Sequence, residues 1–334
     1  MGLIKYEIAA DQKLTKLASV PMKPRPPAGN EILVRIEASS LNFHDYLIAT
    51  GVIATTPGRI PLADGVGVIE ACGPQAQRFS VGDTVMGTFF PDWHRGDAYA
   101  DGVAQMRGDH IDGFGASYVV MPEAGFTKAP ATLDAVAAAC LPCAGLTAWR
   151  SLFVEGSLRP GDSVVVQGTG GVSMFALQFA RAAGARVIAT TGSPEKADRL
   201  RALGAHGVVD RFDPEWGLAV RKLADGGADH LIEVSGGDLT QSLSSLRTGG
   251  RLCLVGVLSL ESIAFAPQAM LHANRRISGI TVGSREHQEA MIAAVERTGI
   301  SPVIDTTFPL SSLREAFEYF GRRQHVGKIA ISAT

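Results

Sequence analysis

The run Ser163-Val-Val-Val-Gln-Gly168-Thr-Gly170-Gly171-Val-Ser173 decides how this chain folds. An apolar strand ends in a glycine-rich turn, and the turn opens a helix with apolar residues at 172, 176, 179 and 183. The glycines permit a tight turn and bring backbone N–H groups close to a diphosphate at the positive end of that helix. Ser173 stands at the third small position of the G-x-G-x-x-G pattern and still leaves a small residue at the helix–strand contact. A glycine triplet alone is weak evidence, because some such turns are merely structural. In the alternating context around it, the triplet predicts dinucleotide binding through Gly168, Thr169, Gly170, Gly171 and Val172.

Working outward, strand and helix signals alternate. Residues 186–190 read as the next strand, and 194–203 as a helix with Ser193 as its N-cap and Pro194 as its first residue. Strands follow at 207–210, 230–234, 251–257 and 277–282. Six strands with crossover helices mean a parallel, doubly wound α/β sheet. The first 130 or so residues read differently. Residues 31–38, 65–72, 79–87 and 117–121 alternate as half-buried strands, with a tight turn at Gly82-Asp83. Between 88 and 114 the pattern dissolves into Gly, Asp and aromatics, the composition of a long surface loop. This half reads as an irregular antiparallel barrel. A small-residue helix around 135–139 precedes the alternating part. Helices near 286–298 and 310–320 and a strand at 327–331, which returns to the first domain, end the chain. The expected domains are 1–128 with 283–334, barrel-like and catalytic, and 129–282, dinucleotide-binding.

Composition narrows the function. The 334 residues hold 31 Lys and Arg against 33 Asp and Glu, a net charge of −2, so neither a basic excess nor a basic stripe invites nucleic acid. With 46% hydrophobic and 19% charged residues, disorder has no basis. The 38 glycines do not recur every third residue, which excludes collagen. Four cysteines, at 72, 140, 143 and 253, do not make the disulfide framework of a secreted scaffold. The N-terminal residues lack the apolar core of a secretory signal, and the longest uncharged run, 135–149, contains Pro142 and Gly145 and falls short of a bilayer span. A soluble cytoplasmic protein acting on a small molecule is expected.

NAD sites carry an acid about 20 positions beyond the glycine turn, for the ribose 2′-hydroxyl. Here that place is Thr190-Thr-Gly-Ser193. Nothing there repels a 2′-phosphate, while Ser193, Lys196 and Arg211 offer a hydrogen bond and positive charge. NADPH is therefore the expected cofactor. Lys196 also reads as an ordinary solvated helix residue.

Several ordered stretches carry a family resemblance: Ser39-Ser-Leu-Asn-Phe-His-Asp45, Pro61-Leu-Ala-Asp-Gly-Val-Gly-Val-Ile69, Phe79-Ser-Val-Gly-Asp-Thr-Val85, Leu141-Pro-Cys-Ala-Gly-Leu-Thr-Ala-Trp149, the run from Arg159 to Val172, and His325-Val-Gly-Lys328. End to end the chain resembles the medium-chain dehydrogenase/reductase superfamily, which includes zinc alcohol dehydrogenases and zinc-free quinone and enoyl reductases. The resemblance implies a GroES-like catalytic domain, a Rossmann domain, and a homodimer pairing Rossmann sheets near residues 262–266. In the zinc enzymes the three catalytic ligands fall where this chain has Asn42, Ala63-Asp64 and Cys143, and only the last matches. The structural zinc lobe needs four cysteines, and 88–114 has none. No metal is expected. Cys140-x-x-Cys143, interrupted by Pro142, reads as a buried small-residue segment.

Zinc polarises a carbonyl and stabilises an alkoxide. Without it, hydride addition to a quinone or to the β-carbon of an α,β-unsaturated carbonyl needs less help, because the charge delocalises and hydrogen-bond donors can stabilise it. The expected proton donor is His44, placed where the zinc enzymes have a relaying Ser or Thr. A structural hydrogen bond is its alternative role. Tyr46 is the candidate partner for the substrate oxygen, and Asn42 orients cofactor or substrate. At the carboxyl ends of the strands, Ser235, Val255, Gly256, Leu258, Gly283 and Ser284 are candidates for the nicotinamide, and Lys328 approaches from the closing strand or forms a salt bridge. The aromatics of 89–99 either line an apolar substrate site or pack their own loop. Alcohol dehydrogenase or aldehyde reductase chemistry, and cofactor binding without catalysis, are the rival readings.

Overall fold

The structure, a computed structural model, describes residues 2–256 and 258–333. It divides into two compact units, Met1–Leu146 with Val282–Thr334, and Thr147–Thr281. In the first unit β1 (Ile4–Glu7) and β2 (Ala18–Pro21) form a small antiparallel sheet. Then come β3 (Glu31–Ser40), α1 (Phe43–Ala49), β4 (Val66–Cys72), β5 (Thr84–Gly87), β6 (Tyr118–Pro122), β7 (Phe126–Lys128) and α2 (Ala135–Ala138). A short helix, α3 (Leu146–Trp149), lies at the boundary, with a π-helical turn on each side, at Leu141–Gly145 and Arg150–Val154.

The second unit holds β8 (Ser163–Gln167), α4 (Gly171–Ala182), β9 (Arg186–Thr191), α5 (Pro194–Ala202), β10 (Gly207–Asp210) and α6 (Trp216–Leu223). It continues through β11 (Ala228–Glu233), α7 (Thr240–Ser245), β12 (Leu246–Leu254), α8 (Gln268–Leu271) and β13 (Arg276–Gly279). The chain then returns to the first unit with α9 (Arg285–Thr298), β14 (Ile304–Pro309), α10 (Leu313–Gly321) and β15 (Lys328–Ser332).

Every strand of the second unit pairs in parallel, in the order β10-β9-β8-β11-β12-β13. β8 is buried along its whole length, as a central strand covered on both faces must be. Val165, Ile188, Leu231 and Leu252 from the sheet meet Val220 and Leu243 from the helices in one core. The doubly wound sheet read from the alternation is present. The strand expected over 251–257 starts earlier, at Leu246, and Val257 lies outside the described residues.

In the first unit the sheet order is β14-β15-β3-β4-β5-β7, with β6 also on β3. The alternation of β3 sends Ile32, Val34, Ile36 and Ala38 inward, where the first three join Ile69, Phe114 and Phe126 in a core. The closing strand β15 enters between β3, antiparallel, and β14, parallel. β14 was not anticipated: its residues are half-buried or exposed and lack a clean period.

Two further expectations are corrected. The break after Leu146 falls later than the expected Lys128, because α2 packs on β3, β4 and β15 and so stays with the first unit. The 88–114 segment is not simply a surface loop: Phe89, Phe90 and Trp93 are buried, Phe89 edge-on to Phe90 and Phe90 tilted against Trp93, while Tyr99 is exposed. All three buried rings pack in the interior, and Phe89 also borders His44.

Candidate active site and cofactor turn

In the second unit Gly168 adopts a left-handed conformation, φ +68°, that a side chain would strain. Its N–H donates to the Thr190 carbonyl at 2.7 Å, tying the turn to β9. Gly170 is the N-cap of α4 and no side chain caps it. A Cβ added at Gly168 or Gly170 would meet no protein atom within 4 Å. Glycine is therefore not required here by protein packing at Gly170. Uncapped N–H groups with open space in front of them suit a diphosphate.

A buried network that sequence reasoning missed fixes the turn. Ser173 Oγ donates to the Gln167 carbonyl at 2.6 Å, so the serine in place of glycine locks helix to strand. Gln167 Nε2 donates to Glu233 Oε2 at 2.8 Å, and Ser242 Oγ donates to the same oxygen. The other carboxylate oxygen accepts the N–H groups of Ser235 and Gly236. Val255 and Gly256 donate to the Glu233 carbonyl, and Leu258 to that of Val234. Parallel pairing aligns β8, β11 and β12, so Gly168, Ser235, Val255, Gly256 and Leu258 all follow the carboxyl edge of one sheet.

At the end of β9, Thr190 is 2% exposed and serves as support rather than as a ligand-facing side chain. Ser193 Oγ accepts the Lys196 N–H as the N-cap of α5. The Arg211 N–H donates to the Thr191 carbonyl, which brings this exposed arginine beside the end of β9, its guanidinium over the Phe212 ring. Three of the residues expected to select the cofactor thus cluster around one strand end.

In the first unit a buried polar cluster gathers on α1, β3, β15 and the segment before β4. Lys328 Nζ donates to Asn42 Oδ1 at 2.5 Å and to the Leu41 carbonyl at 2.7 Å, and lies 3.4 Å from Asp64 Oδ2. That oxygen also accepts from Asn42 Nδ2 and Ser40 Oγ. Asp45 reaches back to the Asn42 N–H and accepts the Ala63 N–H. A buried ammonium needs such partners. Lys328 is 3% exposed and fully engaged, so the expectation that it approaches a cofactor gives way to its alternative, a salt bridge.

These residues do not fit a catalytic zinc. Burial, with Asp64 nearby, pushes the Cys143 thiol well above its ordinary range, and Cys143 is the one zinc-ligand position of the three that keeps its residue. Asn42 and Asp64 already hold a cation, the lysine ammonium. No group of three or more His, Cys, Asp or Glu among the described residues has the arrangement of a metal site.

His44, on α1, places Nε2 3.3 Å from Asp109 Oδ2, and its ring meets the edge of Phe89. Tyr46 does not join it. Two residues along a helix turn through about 200°, and the Tyr46 ring packs on Phe320 of α10 in a hydrophobic cluster. Ser284 is buried, its hydroxyl capping α9, and Gly283 before it abuts Leu146. Neither presents a free side chain.

No helix among the described residues is long and apolar enough to cross a membrane. The profile of the alcohol dehydrogenase GroES-like domain matches residues 28–131, and that of the zinc-binding dehydrogenase domain matches 171–297. A zinc-type alcohol dehydrogenase-like protein of Schizosaccharomyces pombe is 37% identical over 333 residues, 96% of this chain and 95% of the relative. The human quinone oxidoreductase is 29% identical, over 92% and 88% of the two chains. A crystal structure from Sinorhizobium meliloti 1021, described as an alcohol dehydrogenase, superposes with a TM-score of 0.90 at 38% identity over 99% of both chains. The chain is an oxidoreductase of the medium-chain dehydrogenase/reductase superfamily, in the zinc-independent branch of zinc-type alcohol dehydrogenase-like proteins and quinone oxidoreductases.

Proposed function

We propose that this protein is an NADPH-dependent, zinc-independent reductase of quinones or of activated C=C bonds. The observation that carries the reading is the Asn42–Asp64–Lys328 lock, in which a fixed ammonium and an amide stand where a metal would need three open ligands. Such a site lacks the Lewis acid by which the zinc-dependent route polarises a carbonyl. The bound cofactor supplies the hydride. The turn Gly168–Val172 holds its diphosphate with backbone N–H groups, and Ser193, Lys196 and Arg211 favour a 2′-phosphate.

The acceptor gains negative charge on oxygen as hydride arrives. Asn42 spends both amide protons on Asp45 and Asp64 and its carbonyl on Lys328, so its part is to hold the lock rather than to orient the reactants. His44 donates the proton that completes the reduction, either to the enolate or to the quinolate oxygen. The assembly is proposed to be a homodimer, on the family resemblance.

The test is to supply NADPH with cinnamaldehyde and identify the product by chromatography. The saturated aldehyde is the expected product, with hydride on the β-carbon. The allylic alcohol would mean hydride on the carbonyl carbon and would overturn the reading.

A further inference from the structure

Asp109 belongs to the segment between β5 and β6, and no part of the reading above uses it. It is 6% exposed. Its Oδ2 lies 3.3 Å from His44 Nε2 and 3.6 Å from His110 Nδ1, and Thr55 Oγ1 donates to its backbone carbonyl at 2.6 Å. With Thr55, Thr56, His110 and Gln105 it lines an open cavity of about 450 Å³. His44 Nδ1, on the other side of the imidazole, is buried with no hydrogen-bond partner.

We infer that Asp109 is a positioning residue: its carboxylate holds the Nε2–H of His44, so that Nδ1 becomes the nitrogen that delivers the proton. The inference rests on His44 being the proton donor proposed above. A carboxylate only accepts, so the hydrogen between Asp109 and His44 belongs to Nε2. Nδ1 is then left with its hydrogen-bonding capacity unspent, and a buried unpartnered nitrogen is costly unless a ligand completes it. The proton balance closes: imidazolium Nδ1–H gives its proton to the enolate or to the quinolate oxygen, neutral His44 keeps Nε2–H on Asp109, and a solvent proton restores Nδ1–H after product release.

The groups facing this pair are Asp45 on the same helix and His110 and Arg59 from the surrounding segments. Burial pushes the Asp109 carboxyl up, but the His44 hydrogen bond and the charges of His110, His44 and Arg59 outweigh it and take the group below its ordinary range. The carboxylate is thus ionised at neutral pH. His110 lies 3.6 Å from the same oxygen, beyond hydrogen-bond distance, and acts on Asp109 by charge.

The test compares Asp109→Asn, Asp109→Glu, His110→Gln and His44→Gln with the unaltered enzyme. Asp109→Asn is expected to lower kcat on the order of 10²-fold, the scale of general acid catalysis, with KM little changed. The alkaline limb of its pH–rate profile moves to lower pH, because no carboxylate stabilises the imidazolium. His110→Gln moves that limb the opposite way, and Asp109→Glu restores part of the rate. In unaltered protein, ¹⁵N NMR of the neutral His44 ring is expected to show the Nε2–H tautomer. An Nδ1–H tautomer overturns the inference even if every Asp109 variant fails to fold. Full rate in Asp109→Asn beside a crippled His44→Gln overturns the role of Asp109 alone. Full rate in His44→Gln overturns the proton-donor reading beneath it.

Discussion

At the glycine turn of the second unit, a Cβ added at Gly168 or Gly170 would touch nothing within 4 Å, whereas in the first unit Asn42, Asp64 and Lys328 are engaged with one another in the protein interior. The turn offers backbone donors to something that must arrive. The cluster has its cation already built in. One region is shaped by what it leaves open and the other by what it has closed, and substitutions should separate the two: damage to the turn shows in binding, damage to the cluster in stability.

The largest effect is expected at the closed region. Lys328→Met leaves Asp64 buried without its cation, and removing one partner of a buried pair costs about 3–5 kcal/mol. Thermal unfolding measures it, and adding Asp64→Asn should recover much of the loss. An unchanged melting temperature in the single variant would break the contrast. Next, Gly170→Thr keeps a comparable N-cap preference, so the fold should be nearly unaffected. Its side chain projects into the open face, and NADPH affinity, read by fluorescence titration, should fall at least about ten-fold through lost charge-assisted hydrogen bonds. Unchanged affinity would mean the turn is only structural. The smallest expected change is Arg211→Ala, which lowers the preference for NADPH over NADH by roughly ten-fold, the scale of one hydrogen bond to a charged group. Steady-state kinetics with both cofactors measures it, and equal losses for both would detach Arg211 from the 2′-phosphate.

What was legible in the sequence follows the same division. The turn and its strands are local, since hydrophobic runs, Pro194 and the glycines fix them within a few residues. The cluster is not local: Asp64 and Lys328 are 264 residues apart, and no periodicity announces the pairing. Asn42 was singled out from the family resemblance, but its partners came only from the fold. Gln167 and Glu233 were passed over because each reads as the polar end of a strand, and their contact needs β8 and β11 side by side. Asp109 lay in a segment without pattern. Phe89, Phe90 and Trp93 left two readings open because composition does not distinguish a lining aromatic from a packed one. Tyr46 was nominated by nearness in sequence to His44, a measure that helical rotation makes misleading over two residues.

The position of β15 in the first sheet has a bearing on how the chain is made. Its Lys328 meets the Leu41 carbonyl across 287 residues, while the second unit is one continuous stretch lying wholly between them. During synthesis the continuous unit can complete itself while the β3 edge that will receive β15 still waits, its N–H and C=O groups unpaired. The interval of greatest exposure to misassociation is therefore set by translation time rather than by any weakness of the finished sheet.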